Sequence, residues 1–144
     1  MLFRSLHALD ARGDVRLPFG GWHGDWSPWN LARAPDRLWI WDWEYARPGA
    51  PLGLDVAHFH FQVAFVRERR GLAASLARAH AAALEPLGRL GLDAPARSLL
   101  RGLHAAELTI RATEAEASGA APNPRFAAEI APVLRSVADR VAGG

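Results

Sequence analysis

A mostly helical α+β domain is the fold class predicted by three observations. The composition changes near residue 53, from a stretch rich in Gly, Pro, Trp and Asp to one dominated by Ala, Leu and Arg. Apolar residues alternate with period two around 31–42, on either side of a turn signal. From Leu54 onward they recur every three or four positions. With 144 residues, one domain spanning 1–144 is expected, large enough to bury roughly two-thirds of its unfolded surface.

Each element follows from local chemistry. Leu2, Phe3, Leu6 and Leu9 stand at helical intervals and predict a short amphipathic helix that ends near Gly13. Leu17 to Trp22 predicts a strand that feeds a loop, His23 to Asn30. Leu31 to Ala34 and Leu38 to Asp42, joined by Pro35, Asp36 and Arg37, predict a hairpin. On its second arm Trp39, Trp41 and Trp43 would share one face, with Asp42 opposite, at the strand end. Arg47 to Gly53, with Pro48, Gly49, Pro51 and Gly53, reads as loop. About four helices then follow. After Gly53, Phe59, Phe61, Val63 and Phe65 alternate like a strand while Leu54, Ala57, Phe61 and Phe65 fit a helix with Asp55 near its start; the length of the stretch and the helices that follow favour helix. The second helix carries Leu72, Leu76, Ala79, Ala83, Leu87 and Leu90. A third is capped by Asp93 and closed near Gly119. A last begins at Asn123 and Pro124 and carries Phe126, Ile130, Val133, Val137 and Val141.

Composition excludes several functions. All seventeen basic residues are Arg, set against fifteen Asp and Glu, for a net charge of +2. A pI near 10.3 therefore reflects guanidinium groups that never titrate away. It does not mark the basic face that nucleic-acid binding requires, so no nucleic-acid partner is expected. Without Lys, a Walker loop, a Schiff base and the nucleotide-gripping lysine of a kinase are excluded from these residues. Without Cys, there is neither a disulfide framework nor a thiolate metal site, which fits a cytoplasmic chain. The apolar run Val56 to Val66 is too short and too polar to span a bilayer, so no membrane partner is expected.

The segment His23-Gly24-Asp25-Trp26-Ser27-Pro28-Trp29-Asn30 carries the chemistry. His, Asp two residues later and Asn five beyond that is the spacing of a kinase catalytic loop, in which Asp is the base and Asn a magnesium ligand. Asp42, in Asp42-Trp43-Glu44, lies twelve residues past Asn30, where the second magnesium-binding Asp of a kinase would stand. Phosphoryl transfer needs an acceptor hydroxyl held in line and the phosphate charge offset by metal. Asp25 is thus the candidate catalytic base. Asn30 and Asp42 are the candidate oxygen ligands to Mg2+ bridging the phosphates of ATP. By chance the His-x-Asp-x4-Asn spacing would arise in about 0.4% of shuffled chains of this composition.

With Trp41-Asp42-Trp43-Glu44 and Gly53-Leu54-Asp55 following in order, the chain resembles the aminoglycoside phosphotransferase and choline kinase family, small-molecule relatives of the protein kinases. The resemblance is dense from about Trp22 to Phe61. It implies a protein-kinase-like C-terminal lobe, its hairpin carrying the catalytic and metal-binding loops, and ATP- and Mg2+-dependent phosphoryl transfer to a hydroxyl of a small molecule. The acceptor would be aminoglycoside-, choline- or sugar-like. It also implies that Asp55 braces the loop from below through backbone hydrogen bonds. Glu44 is a further candidate for support, placed either to help the metal shell or to face solvent. The 24 residues before Asp25 contain no glycine-rich phosphate turn, so the expectation is that lobe alone, with the N-terminal nucleotide lobe absent. The surface that would meet such a lobe should be apolar and aromatic.

Other residues are weighed beside these. His23 is a catalytic-loop residue whose expected part is to pack and hydrogen-bond within the loop. Trp26 and Trp29 should pack under it. His58 and His60, two residues apart, point to different helix faces and so make no metal pair; core or surface positions suit them. Glu107, Glu114 and Glu116 could meet a cationic acceptor, although a solvated acidic face suits them better. Two rival readings are a non-catalytic or partner-dependent half of such an enzyme, and a Mg2+-dependent hydrolase using the same carboxylates.

Overall fold

A computed structural model describes residues 15–121, 126 and 128–135. Within them the chain is α+β, with β1 (Phe19–Trp22), β2 (Leu31–Arg33), β3 (Leu38–Ile40) and β4 (Arg47–Pro51) preceding α1 (Leu54–Gln62), α2 (Leu72–Arg89) and α3 (Ala94–Ala117). Residues 128–135 are again helical. The predicted helix at 2–10, the start at Asn123 and Pro124, and Val137 and Val141 of the last stripe lie outside the described residues. No helix among the described residues is long and apolar enough to cross a membrane.

The predicted hairpin forms. β2 pairs antiparallel with β3, Leu31 opposite Ile40 and Arg33 opposite Leu38, and the turn closes where Ala34 N–H donates to the Arg37 carbonyl at 2.8 Å. Its second arm is shorter than expected. The ladder ends at Ile40: Trp41 N–H still donates to the Asn30 carbonyl opposite it at 3.3 Å, but Asn30 N–H turns to the Ser27 carbonyl at 3.0 Å and the Trp41 carbonyl is taken by His23, which draws the chain toward the loop. Asp42 consequently lies beyond the strand, with a left-handed φ of 65°.

The stretch expected as loop at 47–53 is corrected more substantially, since 47–51 is a strand. β4 pairs antiparallel with β1, Phe19 opposite Pro51 and Gly20 opposite Ala50. Two-stranded sheets leave each strand an open edge, so Pro48 and Pro51, which lack an N–H, are tolerated there. The register shifts between Gly20 and Trp22, and such a bulge bends the strand just before His23.

Gly53 joins this sheet to the helices at φ 101°. A Cβ here would fall 2.5 Å from a Leu87 methyl and 2.9 Å from one of Leu100, so only Gly lets the start of α1 enter the core. Ala50, Leu54, Leu87, Leu92, Leu100 and Leu103 form that core where β4, α1, α2 and α3 meet. A second cluster joins Phe61, Leu72, Leu76, Ala79, Ala105 and Leu108 to Ile130. The predicted stripe of α2 therefore faces inward from Leu72 to Leu87, while Leu90 is 43% exposed, and Phe126, Ile130 and Val133 of the last stripe pack into the second cluster. Asp93 caps α3 as expected, accepting from Ala96 N–H at 2.8 Å, and Gly119 follows its end at φ 98°.

Candidate active site

The loop 23–30 is anchored from beneath by one carboxylate. Asp55, in the first turn of α1, accepts from His23 N–H through Oδ2 at 2.9 Å and from Gly24 N–H through Oδ1 at 3.1 Å. This is the bracing that the resemblance implies for Asp55. Gly24 has φ 89°, and a Cβ on it would lie 2.6 Å from Tyr45 Cβ and 2.8 Å from the Tyr45 carbonyl oxygen. A side chain is excluded by conformation and by space together.

His23 is 2% exposed, and both ring nitrogens are used within the loop. Nε2 donates to the Trp41 carbonyl at 2.9 Å, while Nδ1 accepts from Asp25 N–H at 3.2 Å. A carbonyl can only accept and an amide N–H can only donate, so the tautomer carries its proton on Nε2. Trp26 stands edge-on to this ring at 5.6 Å and Trp43 packs on it at 4.6 Å. The arrangement holds the loop and leaves neither nitrogen for proton transfer.

Asp25, half-buried, is held at both oxygens. Asn30, 4% exposed, donates from Nδ2 to Oδ2 at 2.8 Å and to the Asp25 carbonyl at 3.1 Å. The ring of His58 comes from α1 to Oδ1, its Nε2 at 3.2 Å. Gln62 brings its side-chain amide to 3.0 Å from the same ring nitrogen. Because a nitrogen that donates to a carboxylate cannot also accept, the amide fits with its oxygen toward that proton. The His58 hydrogen bond is the largest influence holding the Asp25 carboxyl below the usual carboxylate value. Burial opposes it, while the His58 charge, the Asn30 hydrogen bond and the Arg111 charge add to it. Asp25 is thereby kept ionised and fixed in orientation.

Asn30 lies at Oδ2 of Asp25. With Nδ2 of Asn30 given to Asp25, Oδ1 is the atom it has for a cation. Trp41, the neighbour of Asp42, is tied to the loop through both its N–H and its carbonyl. The left-handed backbone of Asp42 is unusual for a residue other than Gly, and such conformations concentrate at functional sites. Among the described residues no group of three or more His, Cys, Asp or Glu is arranged to hold a metal. Mg2+ needs only one or two protein oxygens, the rest coming from water and phosphate, and one amide oxygen plus one carboxylate fit that donor set.

Comparison with family models, with curated proteins and with solved structures gives no match.

The remaining candidates divide. Glu44 is exposed in the turn after Asp42. Trp26 is half-buried, as expected, whereas Trp29 is 43% exposed and does not pack under the loop. Glu107 is taken up by Arg111 at 3.0 Å, and Glu114 and Glu116 lie exposed further along α3. His58 requires the largest correction, for it is a partner of Asp25 and no mere core or surface histidine. Its signal was in the spacing: Asp55 and His58 are three apart on one helix, so a helix that turns Asp55 to the loop turns His58 there too.

Proposed function

We propose that the chain is the catalytic-loop lobe of a kinase-like small-molecule phosphotransferase. The observation that carries this reading is Asp25 fixed between Asn30 and His58 on a loop braced by Asp55. A carboxylate kept ionised with both oxygens steered is suited to orient a hydroxyl and take its proton as the oxygen attacks phosphorus. Mg2+, held by Asn30 Oδ1 and the Asp42 carboxylate, would offset phosphate charge and orient the terminal phosphoryl of ATP. His23 serves as the structural pin that joins Asp25 to the Asp42 segment. His58 acts through Asp25 as a positioning residue.

The partner-dependent reading has one observation in its favour. Leu38, Trp39, Trp41, Trp43 and Tyr45 are each between 44% and 55% exposed, and exposed apolar side chains of this kind are expected where a nucleotide lobe would sit.

Phosphorus NMR of the protein incubated with Mg-ATP and a panel of hydroxyl compounds tests the reading. A phosphomonoester product is expected. Inorganic phosphate released at the same rate without any acceptor would favour the hydrolase reading, and no consumption of ATP would overturn catalysis by this chain.

A further inference from the structure

One cation whose charge reaches Asp25 is not used by the reaction as described. Arg111 lies two turns beyond His104 on α3, and the His104 ring stands edge-on to His58 at 6.0 Å. Residues seven apart share a helix face, so Arg111 belongs to the stripe of α3 turned toward the loop. Its guanidinium carbon is 5.3 Å from the ring centre of Trp22 and 5.1 Å from that of Tyr45. Trp22 directly precedes His23, and Tyr45 is the residue pressed on Gly24. Both residues therefore adjoin the catalytic loop, and the guanidinium charge held over their rings is felt at Asp25.

The guanidinium is prepared for planar recognition. Nε donates to Glu107 Oε1 at 3.0 Å, and the two side chains are only 23% and 22% exposed. Two aromatic faces and a pinned Nε restrict the plane of the group, while its terminal amino groups carry four further N–H donors in a fork that matches two oxygens of a carboxylate. Glu107, being committed to this pair, is poorly placed to attract a cationic acceptor. The two sides of Asp25 also differ. Asn30 holds Oδ2, whereas His58, whose ring meets that of His104, holds Oδ1.

We propose that Arg111 is the anchor for an anionic acceptor, a small hydroxy acid whose carboxylate sits on the guanidinium fork while its hydroxyl meets Asp25. The substrate class thus assigned rests on the phosphotransferase reading of the site. The anion site itself can be tested without nucleotide or metal.

Isothermal titration of the whole chain with D-glycerate, glycerol and inorganic phosphate separates the possibilities. Glycerate should bind and glycerol should not. Arg111→Gln should weaken glycerate at least about tenfold. Arg111→Lys, which keeps the charge without the fork, should also weaken it and serves if the Gln variant does not fold; circular dichroism reports folding for both. Wild-type protein that ignores glycerate, or glycerate bound equally by the folded variants, would overturn the site. So would inorganic phosphate bound more tightly than glycerate with the same dependence on Arg111, which would assign the guanidinium to the donor phosphoryl. Glycerate held through Arg111 with no transfer from Mg-ATP would remove the reaction and leave the anion site standing. Transfer to D-glycerate at a rate unchanged by Arg111→Gln would do the reverse.

Discussion

Residues 23–30 and residues 39–45 lie side by side in the same half of the molecule and are built on opposite plans. In the first, His23 and Asn30 are buried, and the polar groups that matter are committed: Asp55 to two amides, His23 to a carbonyl and an amide, Asn30 and His58 to Asp25. In the second, Trp39, Trp41, Trp43 and Tyr45 are exposed, and Asp42 adopts a backbone conformation that few side chains favour. The contrast separates two jobs. A base needs a fixed direction, which a closed hydrogen-bond network provides; a segment that meets metal, phosphates or another surface keeps its side chains open to them.

The largest effect is expected from removing the brace. Asp55→Ala leaves the amides of His23 and Gly24 without their acceptor, and two hydrogen bonds to a charged group correspond to about 4 kcal/mol of stability. Urea denaturation should show that loss, and an unchanged midpoint would mean that the loop holds itself.

Acid should weaken the closed region next. Behind Asp25 the rings of His58, His104 and His80 follow one another at 6.0 and 5.9 Å. Burial, reinforced by the Arg101 charge, lowers the His80 pKa to about 4. Burial first, then the charges of His58, His80 and Arg111, hold that of His104 well below its usual value. Both take up a proton more readily when unfolded, so stability is greatest above pH 6.5 and falls as the pH drops from there toward 4. His80 alone should cost on the order of 2 kcal/mol by pH 5. Thermal melting at pH 7 and pH 5 measures this, and His80→Gln should flatten the dependence.

A smaller effect tests His58 as a positioning residue. His58→Asn should lower kcat about tenfold while leaving KM nearly unchanged, and it should move the acidic limb of the pH–rate profile upward because Asp25 loses the hydrogen bond that holds its pKa down. A purely structural histidine would leave that limb in place. The smallest effect belongs to the open region. Trp39→Ser should change stability by less than about 0.5 kcal/mol, since the indole has little packing to lose, and a larger loss in urea denaturation would show that the aromatic arm is part of the core.

Much of this contrast was legible before any coordinates. Helical periodicity predicts α2 and α3, with the cap at Asp93, because each buries one stripe; the pattern of α1 also fits an alternating strand, and its length and helical neighbours decide for helix. The loop was legible because its residue types are few and their spacing is demanding. β4 was missed because its Pro and Gly residues mimic a loop, and only pairing with β1 makes it a strand. The role of His58 shows in its spacing from Asp55, one helical turn away, and not in its spacing from His60. Arg111 carried no local signal, since its place depends on α3 crossing behind residues far away in sequence, Trp22 and Tyr45.

The central claim is that Asp25 is the base of phosphoryl transfer to a hydroxyl, and Asp25→Asn tests it most directly, because the amide keeps the size of the group and loses its charge. Measured as transfer of the terminal phosphoryl of Mg-ATP to D-glycerate, with circular dichroism to confirm the fold, the variant should be slower by about a factor of 10² to 10⁴. Transfer at the wild-type rate by a folded Asp25→Asn protein would contradict the account.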